Sequence, residues 1–304
     1  MKIRLISLTP TGFPNLALMK ISAFHKACGD EVSTDEPDPD KVYISSPFSQ
    51  YKNACDYSKM FPDAEIKYGG YGFSDVKLPD SIEHLMPDYS IFNCDRSMGF
   101  TTRGCIRNCW FCVVPKNEGN IRKNSPVQEF HHTDHDTIVL LDNNILYYNE
   151  WFMQNSDYIL KNNLKVHIES GIDIRLVTNE NAKRLEELRH QKRLHFAFDD
   201  LKYEQDLRRG IELLEGAGIK KRDLTCYILA WPGGFDDAWR RQEIIWKEYG
   251  IDPFIQVYNN SRKDPSIRKL ARWCNLPQIR KSCEFSEYKR KITTQKKMSF
   301  SENI

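Results

Sequence analysis

The chain has 304 residues, of which 40% are hydrophobic and 28% are charged, and its net charge is +2. This composition is typical of a globular protein and excludes a disordered chain, and no apolar run approaches the ~20 residues that a membrane-spanning helix needs. The first residues, "MKIRLISLTP", lack the long apolar segment and the cleavage site of a signal peptide. We therefore expect a cytoplasmic protein without a membrane segment.

The first 75 residues alternate between strand and helix patterns. The segments "KIRLISL", "KVYISS" and "EIKYGGYGF" predict strands, and "NLALMKISAFHKACG" predicts a helix that stops at Gly29. Residues 1–75 therefore resemble a small α/β domain of flavodoxin-like size. Residues 76–97 contain prolines and have no clear period, so a connector is expected there.

From residue 98 to 262 the alternation is more regular. The predicted strands are "GFTTRG", 137–144, 165–173, 194–200, 224–231 and 253–260. Helical patterns between them imply parallel strands with right-handed crossovers, and six such units fit a partial (β/α)6 barrel. The chemistry of such barrels sits at the carboxyl ends of the strands. Residues 263–304 form a basic C-terminal extension.

Three cysteines lie within eight positions in "TTRGCIRNCWFC", at Cys105, Cys109 and Cys112. The odd total of nine cysteines argues against a disulfide framework and favours metal or redox chemistry. A structural zinc site needs four ligands, so Cys94 or a histidine of the "HHTDH" run (131–135) would have to complete it. We expect that run to be a polar loop. A 4Fe–4S cluster takes one thiolate per iron, so three cysteines would leave one iron open.

The Cys-x3-Cys-x2-Cys spacing, with Phe111 before the third cysteine, resembles the signature of the radical S-adenosylmethionine superfamily over residues 98–262. The resemblance implies a 4Fe–4S cluster on the three cysteines, with S-adenosyl-L-methionine bound at the open iron. It implies an external one-electron reductant of flavodoxin or ferredoxin type. Reductive cleavage would then give a 5′-deoxyadenosyl radical that abstracts hydrogen from a substrate.

The resemblance also implies a set of residues that bind the cofactor. They are Phe111, Asp142, Asn143, Asn144, Glu169, Asp173, Arg175 and Asp199. Phe111 would pack near the adenine, and 142–144 stands where the family often has a Gly-Gly-Glu element facing the methionine amine. Glu169 and Asp173 would serve the ribose or the methionine end, and Arg175 would pair with the methionine carboxylate.

The layout of residues 1–97 resembles two kinds of family member. Cobalamin-dependent members carry an Asp-x-His-x-x-Gly element, which is missing here, since His25 lies in the middle of a predicted helix. The front domain is therefore predicted to be a degenerate cobalamin-binding-like domain, in a pattern similar to uncharacterised phage and prophage members. Methylthiotransferases bind a second cluster through N-terminal cysteines, which here would be Cys28, Cys55 and Cys94.

The C-terminal extension suggests a partner. Its basic residues are Arg280, Lys281, Lys289, Arg290, Lys291, Lys296 and Lys297. Together with Trp273 and Tyr288 they favour a nucleic acid or nucleotide substrate over a peptide. An auxiliary cluster that uses Cys226, Cys274 or Cys283 is a further possibility. The non-enzymatic alternative is a zinc-containing protein that binds nucleic acid.

Overall fold

The structure, a computed structural model, describes residues 1–9, 13–48, 55–73, 76–258 and 263–289. The chain divides into two compact units, the first made of Met1–Phe196 and Asp206–Asp223 and the second of Ala197–Gln205 and the chain from Leu224. Both contain parallel strands and helices, which confirms the α/β class. Within the ranges that the structure describes, no helix is both long and apolar enough to cross a membrane.

The first unit begins with a four-stranded sheet. Its elements are β1 (Lys2–Ser7), α1 (Leu16–Ala27), β2 (Glu31–Ser33), β3 (Lys41–Ser45), α2 (Tyr57–Met60) and β4 (Glu65–Gly69). The strand order is β2-β1-β3-β4, and all neighbouring strands are parallel. The three predicted strands and α1 are confirmed. Strand β2 was not predicted, because three residues are too few to show a period.

Helix α1 begins and ends where the local sequence requires. Asn15 accepts a hydrogen bond from the backbone N–H of Leu18 at 3.2 Å, which satisfies one unpaired donor of the first turn. After the helix, Gly29 takes φ +83°, a left-handed conformation that costs glycine little. Leu18 and Ile21 bury the inner face of the helix against β1.

The segment 76–97 is part of the core. Its regular elements are α3 (Asp80–Glu83) and a 3₁₀ turn (Tyr89–Phe92). The buried Tyr89 hydroxyl donates to the Phe130 carbonyl at 2.6 Å and accepts from the Met98 N–H at 3.0 Å. Tyr89 also packs with Met19 of α1. The segment 76–97 therefore connects α1 to the strand that begins at Ser97.

A second parallel sheet follows in the first unit. The elements along the chain are β5 (Ser97–Gly99), β6 (Thr102–Arg103), α4 (Val114–Glu118), β7 (Arg122–Lys123), α5 (Val127–Phe130), β8 (Thr137–Leu140), α6 (Asn149–Lys161), β9 (Lys165–Ile168), α7 (Asn179–Glu187), β10 (Arg189–His190), β11 (Leu194–Ala197) and α8 (Glu204–Gly216). The strand order is β10-β9-β8-β5, parallel throughout. The carboxyl ends of β5, β8 and β9 therefore meet at one edge of this sheet.

The second unit repeats the alternation of strand and helix. Its elements are β12 (Leu224–Ala230), α9 (Phe235–Glu243), β13 (Asp252–Val257), α10 (Pro265–Asn275) and α11 (Pro277–Ser282), and α9 continues into a π-helical turn (Ile244–Glu248). Strands β12 and β13 are parallel. Strands were predicted at β8, β9, β11, β12 and β13, and each is present in shortened form. The predicted strand "GFTTRG" (99–104) overlaps β5 only at Gly99 and contains the antiparallel β6, so its bounds were wrong. The two-residue β10 was not predicted.

Part of the C-terminal extension is buried in the second unit, including two of its aromatic residues and one of its arginines. Trp273 is 2% and Tyr288 8% exposed, and the Trp273 indole N–H donates to the Cys283 carbonyl at 3.0 Å. Arg280 is buried and forms an ion pair with Asp252. Trp273 and Tyr288 therefore do not support the predicted nucleic acid or nucleotide substrate, because both rings belong to the apolar interior. Residues 290–297 of the basic tail lie outside the described residues.

Candidate functional site

The three clustered cysteines lie on residues 104–113, here called the cysteine loop. The antiparallel strands β6 and β7 hold the base of the segment that contains it. Gly104 opens the loop with φ +78°, and a Cβ there would lie 2.3 Å from the Asn120 carbonyl oxygen, so only glycine fits. The Cys105 N–H donates to the Gly119 carbonyl at 3.3 Å, and the Cys112 N–H donates to the Cys109 carbonyl at 2.9 Å.

The three cysteines of the loop differ in exposure. Cys105 and Cys109 are half-buried, and Cys112 is exposed. Trp110 is 67% exposed and meets the half-buried Phe111 edge to face, with ring centroids 5.5 Å apart. A ligand can therefore approach the thiols without the core being opened. The contact of Phe111 with an adenine ring stays a prediction.

Asp142 anchors the chain just before the cysteine loop. It is fully buried, and its two carboxylate oxygens accept hydrogen bonds from the backbone N–H and the hydroxyl of both Thr101 and Thr102. Burial raises the pKa of the Asp142 carboxyl, against the effect of these donors. These hydrogen bonds join the segment after β8 to the segment after β5. The contact of Asp142 with the cofactor stays a prediction.

Glu118 is a second buried anchor, and the sequence analysis missed it. Its carboxylate accepts from the Gly104 N–H at 2.9 Å, from Asn143 Nδ2 at 3.2 Å and from Arg103 Nη1 at 3.2 Å. The pKa of the nearby Tyr71 is raised by burial and by the charge of Glu118. A glutamate next to a glycine at a helix end reads as a surface residue, so no local pattern could have revealed this role.

Cys105 receives two N–H donors. The Arg107 backbone N–H donates to Cys105 Sγ at 3.3 Å, and Asn144 Nδ2 donates to the same sulfur at 3.7 Å. Asn144 is 2% exposed, and its Oδ1 has no hydrogen-bond partner. Asn144 thus brings the end of β8 to the first cysteine and leaves a buried acceptor unsatisfied there.

Asp173 joins the end of β9 to the same place. Its carboxylate accepts from Arg107 Nε at 2.9 Å, from Arg175 Nε at 2.7 Å and from Asn144 Nδ2 at 3.4 Å. Burial alone would raise the pKa of the Asp173 carboxyl, but the hydrogen bonds and charges of Arg175 and Arg107 outweigh it and lower that pKa. We call Asn144, Asp173, Arg107 and Arg175 the Asn144–Asp173 network.

The structure therefore brings Cys105, Asn144, Asp173 and Arg175 together, as their places at strand ends predicted. Glu169 lies apart from this network, and its Oε2 is 2.8 Å from His167 Nε2. The hydrogen bond from His167 is the main reason that the pKa of Glu169 is lowered.

Asp199 belongs to the second unit. There its carboxylate accepts from the Leu229 N–H at 2.8 Å. The roles predicted for Glu169 and Asp199 stay predictions.

Among the described residues, no three His, Cys, Asp or Glu side chains are grouped as ligands of one metal ion would be. The kind of metal group that the three cysteines would hold therefore stays a prediction. The buried acceptor of Asn144 beside Cys105 requires a donor that the chain itself does not provide.

The remaining cysteines offer no comparable set. Cys28 and Cys55 are exposed and Cys94 is buried, and the Cys94 thiol donates to the Arg96 carbonyl at 3.2 Å. Burial raises the pKa of Cys274 to about 12, and Cys226 is also fully buried with a raised pKa. Thiols that resist ionisation are poor cluster ligands. The second and auxiliary clusters are therefore not favoured.

Comparison with known proteins identifies solved structures with a similar fold. No family model and no curated protein matches this sequence. The chain is similar to the structure of the radical S-adenosylmethionine methyltransferase TsrM from Kitasatospora setae, which has cobalamin and a [4Fe-4S] cluster bound. The TM-score is 0.61 and the identity 12%, over 84% of this chain and 74% of that chain.

A second similar structure is that of the cobalamin-dependent S-adenosylmethionine radical enzyme OxsB, which has aqua-cobalamin and S-adenosylmethionine bound. The TM-score is 0.54 and the identity 15%, over 92% of this chain. This chain spans 56% of the length of OxsB. At these identities the two likenesses establish a shared fold.

Proposed function

We propose that this chain is a radical S-adenosylmethionine enzyme that holds a 4Fe–4S cluster through Cys105, Cys109 and Cys112. The observation that carries the proposal is that the cysteine loop contacts the Asn144–Asp173 network at one edge of a parallel sheet. The fold shared with TsrM and OxsB supports it. When bound, the cluster and S-adenosyl-L-methionine supply a reductively generated 5′-deoxyadenosyl radical.

The residues beside the cysteine loop suit the methionine end of that cofactor. The unpartnered Oδ1 of Asn144 is an acceptor for an ammonium group. Arg107 and Arg175 together carry two positive charges against the single negative charge of Asp173, so the network favours a further carboxylate. We assign the adenine and ribose contacts to Phe111, Glu169 and Asp199, on the family resemblance.

We infer that the front sheet is a degenerate relative of a cobalamin-binding domain. Its order β2-β1-β3-β4 is the order with which flavodoxin-like sheets begin. His25 is the only histidine of residues 1–75. Its Nδ1 lies 2.6 Å from Asp30 and its Nε2 3.0 Å from the Tyr43 hydroxyl, so the ring is engaged by the protein itself and does not suit an axial ligand. We do not extend the proposal to cobalamin.

The remaining assignments follow from the same proposal. Residues 98–262 form the partial barrel, 76–97 its link to the front domain, and 263–304 an extension. The electron comes from an external carrier of flavodoxin or ferredoxin type, in the cytoplasm. A methylthiotransferase-like enzyme is less well supported, since Cys94 is buried whereas Cys28 and Cys55 are exposed. A zinc protein is less well supported because the shared fold is that of TsrM and OxsB.

The test is an anaerobic assay. The protein is reconstituted with iron and sulfide, reduced, and given S-adenosyl-L-methionine, and 5′-deoxyadenosine is measured. We expect product from the wild type and from Cys28→Ala, whose thiol is exposed and outside the loop, and none from Cys112→Ala. Equal product from Cys112→Ala, or one zinc per chain in place of iron, would contradict the proposal.

A nucleic acid or nucleotide is the substrate class that we propose to test first. Arg280 is buried in an ion pair and gives this class no support. Its support is the remaining basic residues of the C-terminal extension, of which Lys281 and Lys289 are exposed. Binding of single-stranded RNA and DNA is measured against salt for the full chain and for a chain that ends at Tyr288. Binding that is equal for the two chains, or absent from both, would direct the search to peptides.

A further inference from the structure

The side-chain amide of Asn144 is held in one orientation. Its two Nδ2 hydrogens face two acceptors that are negative or become so, namely Cys105 Sγ at 3.7 Å and Asp173 Oδ2 at 3.4 Å. A flipped amide would turn its oxygen toward the sulfur and the carboxylate, and like partial charges would repel. Asp173 in turn is fixed by Arg107 and Arg175, so the donor is aimed before any ligand binds.

Burial strengthens the effect of the hydrogen bond from Asn144 to the Cys105 sulfur. Asn144 is almost completely buried, so no water competes for the sulfur on that side. Hydrogen bonds to cluster sulfurs are among the factors that set the reduction potential of iron–sulfur clusters. A donor stabilises the reduced cluster more than the oxidised one, because the reduced cluster carries one more negative charge.

We propose that Asn144 is a positioning residue that raises the reduction potential of the cluster by donating its side-chain N–H to the Cys105 sulfur. This rests on the proposed function of the cysteine loop and adds a residue that acts on the electron transfer into it. The sulfur also receives the Arg107 backbone N–H, which no side-chain substitution removes. Of these two donors to the Cys105 sulfur, the side chain of Asn144 is therefore the one that a substitution can remove.

The experiment is a redox titration of the reconstituted protein, without S-adenosyl-L-methionine, followed through the paramagnetic signal of the reduced cluster. For Asn144→Leu, which keeps the branched four-atom side chain and removes the donor, we expect the equilibrium constant for reduction to fall about three- to tenfold. A tenfold change is about 59 mV toward negative potential for a one-electron couple. For Asn144→Asp we expect a larger fall, because a carboxylate would stand beside the sulfur.

Asn162→Leu is the matched control. Asn162 is exposed and donates its side-chain N–H to the Tyr158 carbonyl, not to a cysteine sulfur, so its loss should leave the midpoint potential unchanged. The midpoint does not depend on how much protein carries a cluster, so partial loading of a variant does not obscure the result. A wild-type midpoint in both Asn144 variants overturns this inference alone. A wild type that binds no iron and sulfide overturns the proposed function with it.

Discussion

Replacing Asp173 by asparagine tests whether the network holds the cysteine loop in the absence of a cluster. The Asp173 carboxylate accepts four hydrogen bonds from the side chains of Arg107, Arg175 and Asn144, and a fifth from the backbone N–H of Arg175. Asp173→Asn keeps the shape and removes the charge. It leaves two guanidinium groups facing an amide that can accept far less than the carboxylate did.

The expected loss can be worked from burial. Removing one partner of a fully buried ion pair costs about 3–5 kcal/mol. The Arg107 side chain is 32% exposed and that of Arg175 19%, so water recovers part of the loss. We therefore expect the free energy of unfolding to fall by about 2–3 kcal/mol. Asp95→Asn is the control, since that carboxylate is largely exposed and should leave stability unchanged.

The assay is urea unfolding of the iron-free protein, followed by circular dichroism at several pH values. The pKa of Asp173 is lowered in the folded state, so the unfolded chain binds the proton more readily. The stabilisation is thus complete above the unfolded pKa and is lost as the pH falls through the folded pKa. The difference between wild type and Asp173→Asn should narrow from about pH 5 downward. A difference below about 0.5 kcal/mol at neutral pH would refute the reasoning.

Three further predictions follow from single contacts. Gly104→Ala should lower the free energy of unfolding by about 2 kcal/mol or more and prevent iron uptake, because φ is +78° and the new Cβ meets a carbonyl oxygen. Unfolding and iron content are the measurements, and wild-type iron uptake would contradict this prediction. Tyr89→Phe should lower the free energy of unfolding by about 1–3 kcal/mol, because the Phe130 carbonyl and the Met98 N–H lose their partner. An unchanged urea midpoint would count against this prediction. Arg280→Met should cost about 2–3 kcal/mol by removing the buried ion pair with Asp252 and the hydrogen bond to the Cys274 carbonyl, with nucleic-acid binding unchanged in a filter assay. Weakened nucleic-acid binding by a stable variant would show that Arg280 takes part in that binding.

Local patterns carried the prediction of most strands and of the long helices. The apolar alternation of "KIRLISL" and the helix bounded by Asn15 and Gly29 depend on residues a few positions apart, and the structure has both. The spacing of Cys105, Cys109 and Cys112 is likewise a property of one short segment. The position of Asn144 and Asp173 after predicted parallel strands was enough to expect them near those cysteines.

The partners of individual side chains depended on the packing of distant segments. Asp142 binds residues about 40 positions earlier, and Glu118 binds Gly104 and Asn143, through the registers of β5, β8 and the β6–β7 pair. No local period encodes a register between separate strands. Trp273 and Tyr288 show the same limit, since an aromatic residue in a basic segment suits a binding surface and an apolar core equally well. The sequence by itself determined the strands, the helices and the thiol spacing, because those arise from short-range contacts. Only the tertiary structure decided which donors and acceptors surround the thiols, because burial and strand register set them.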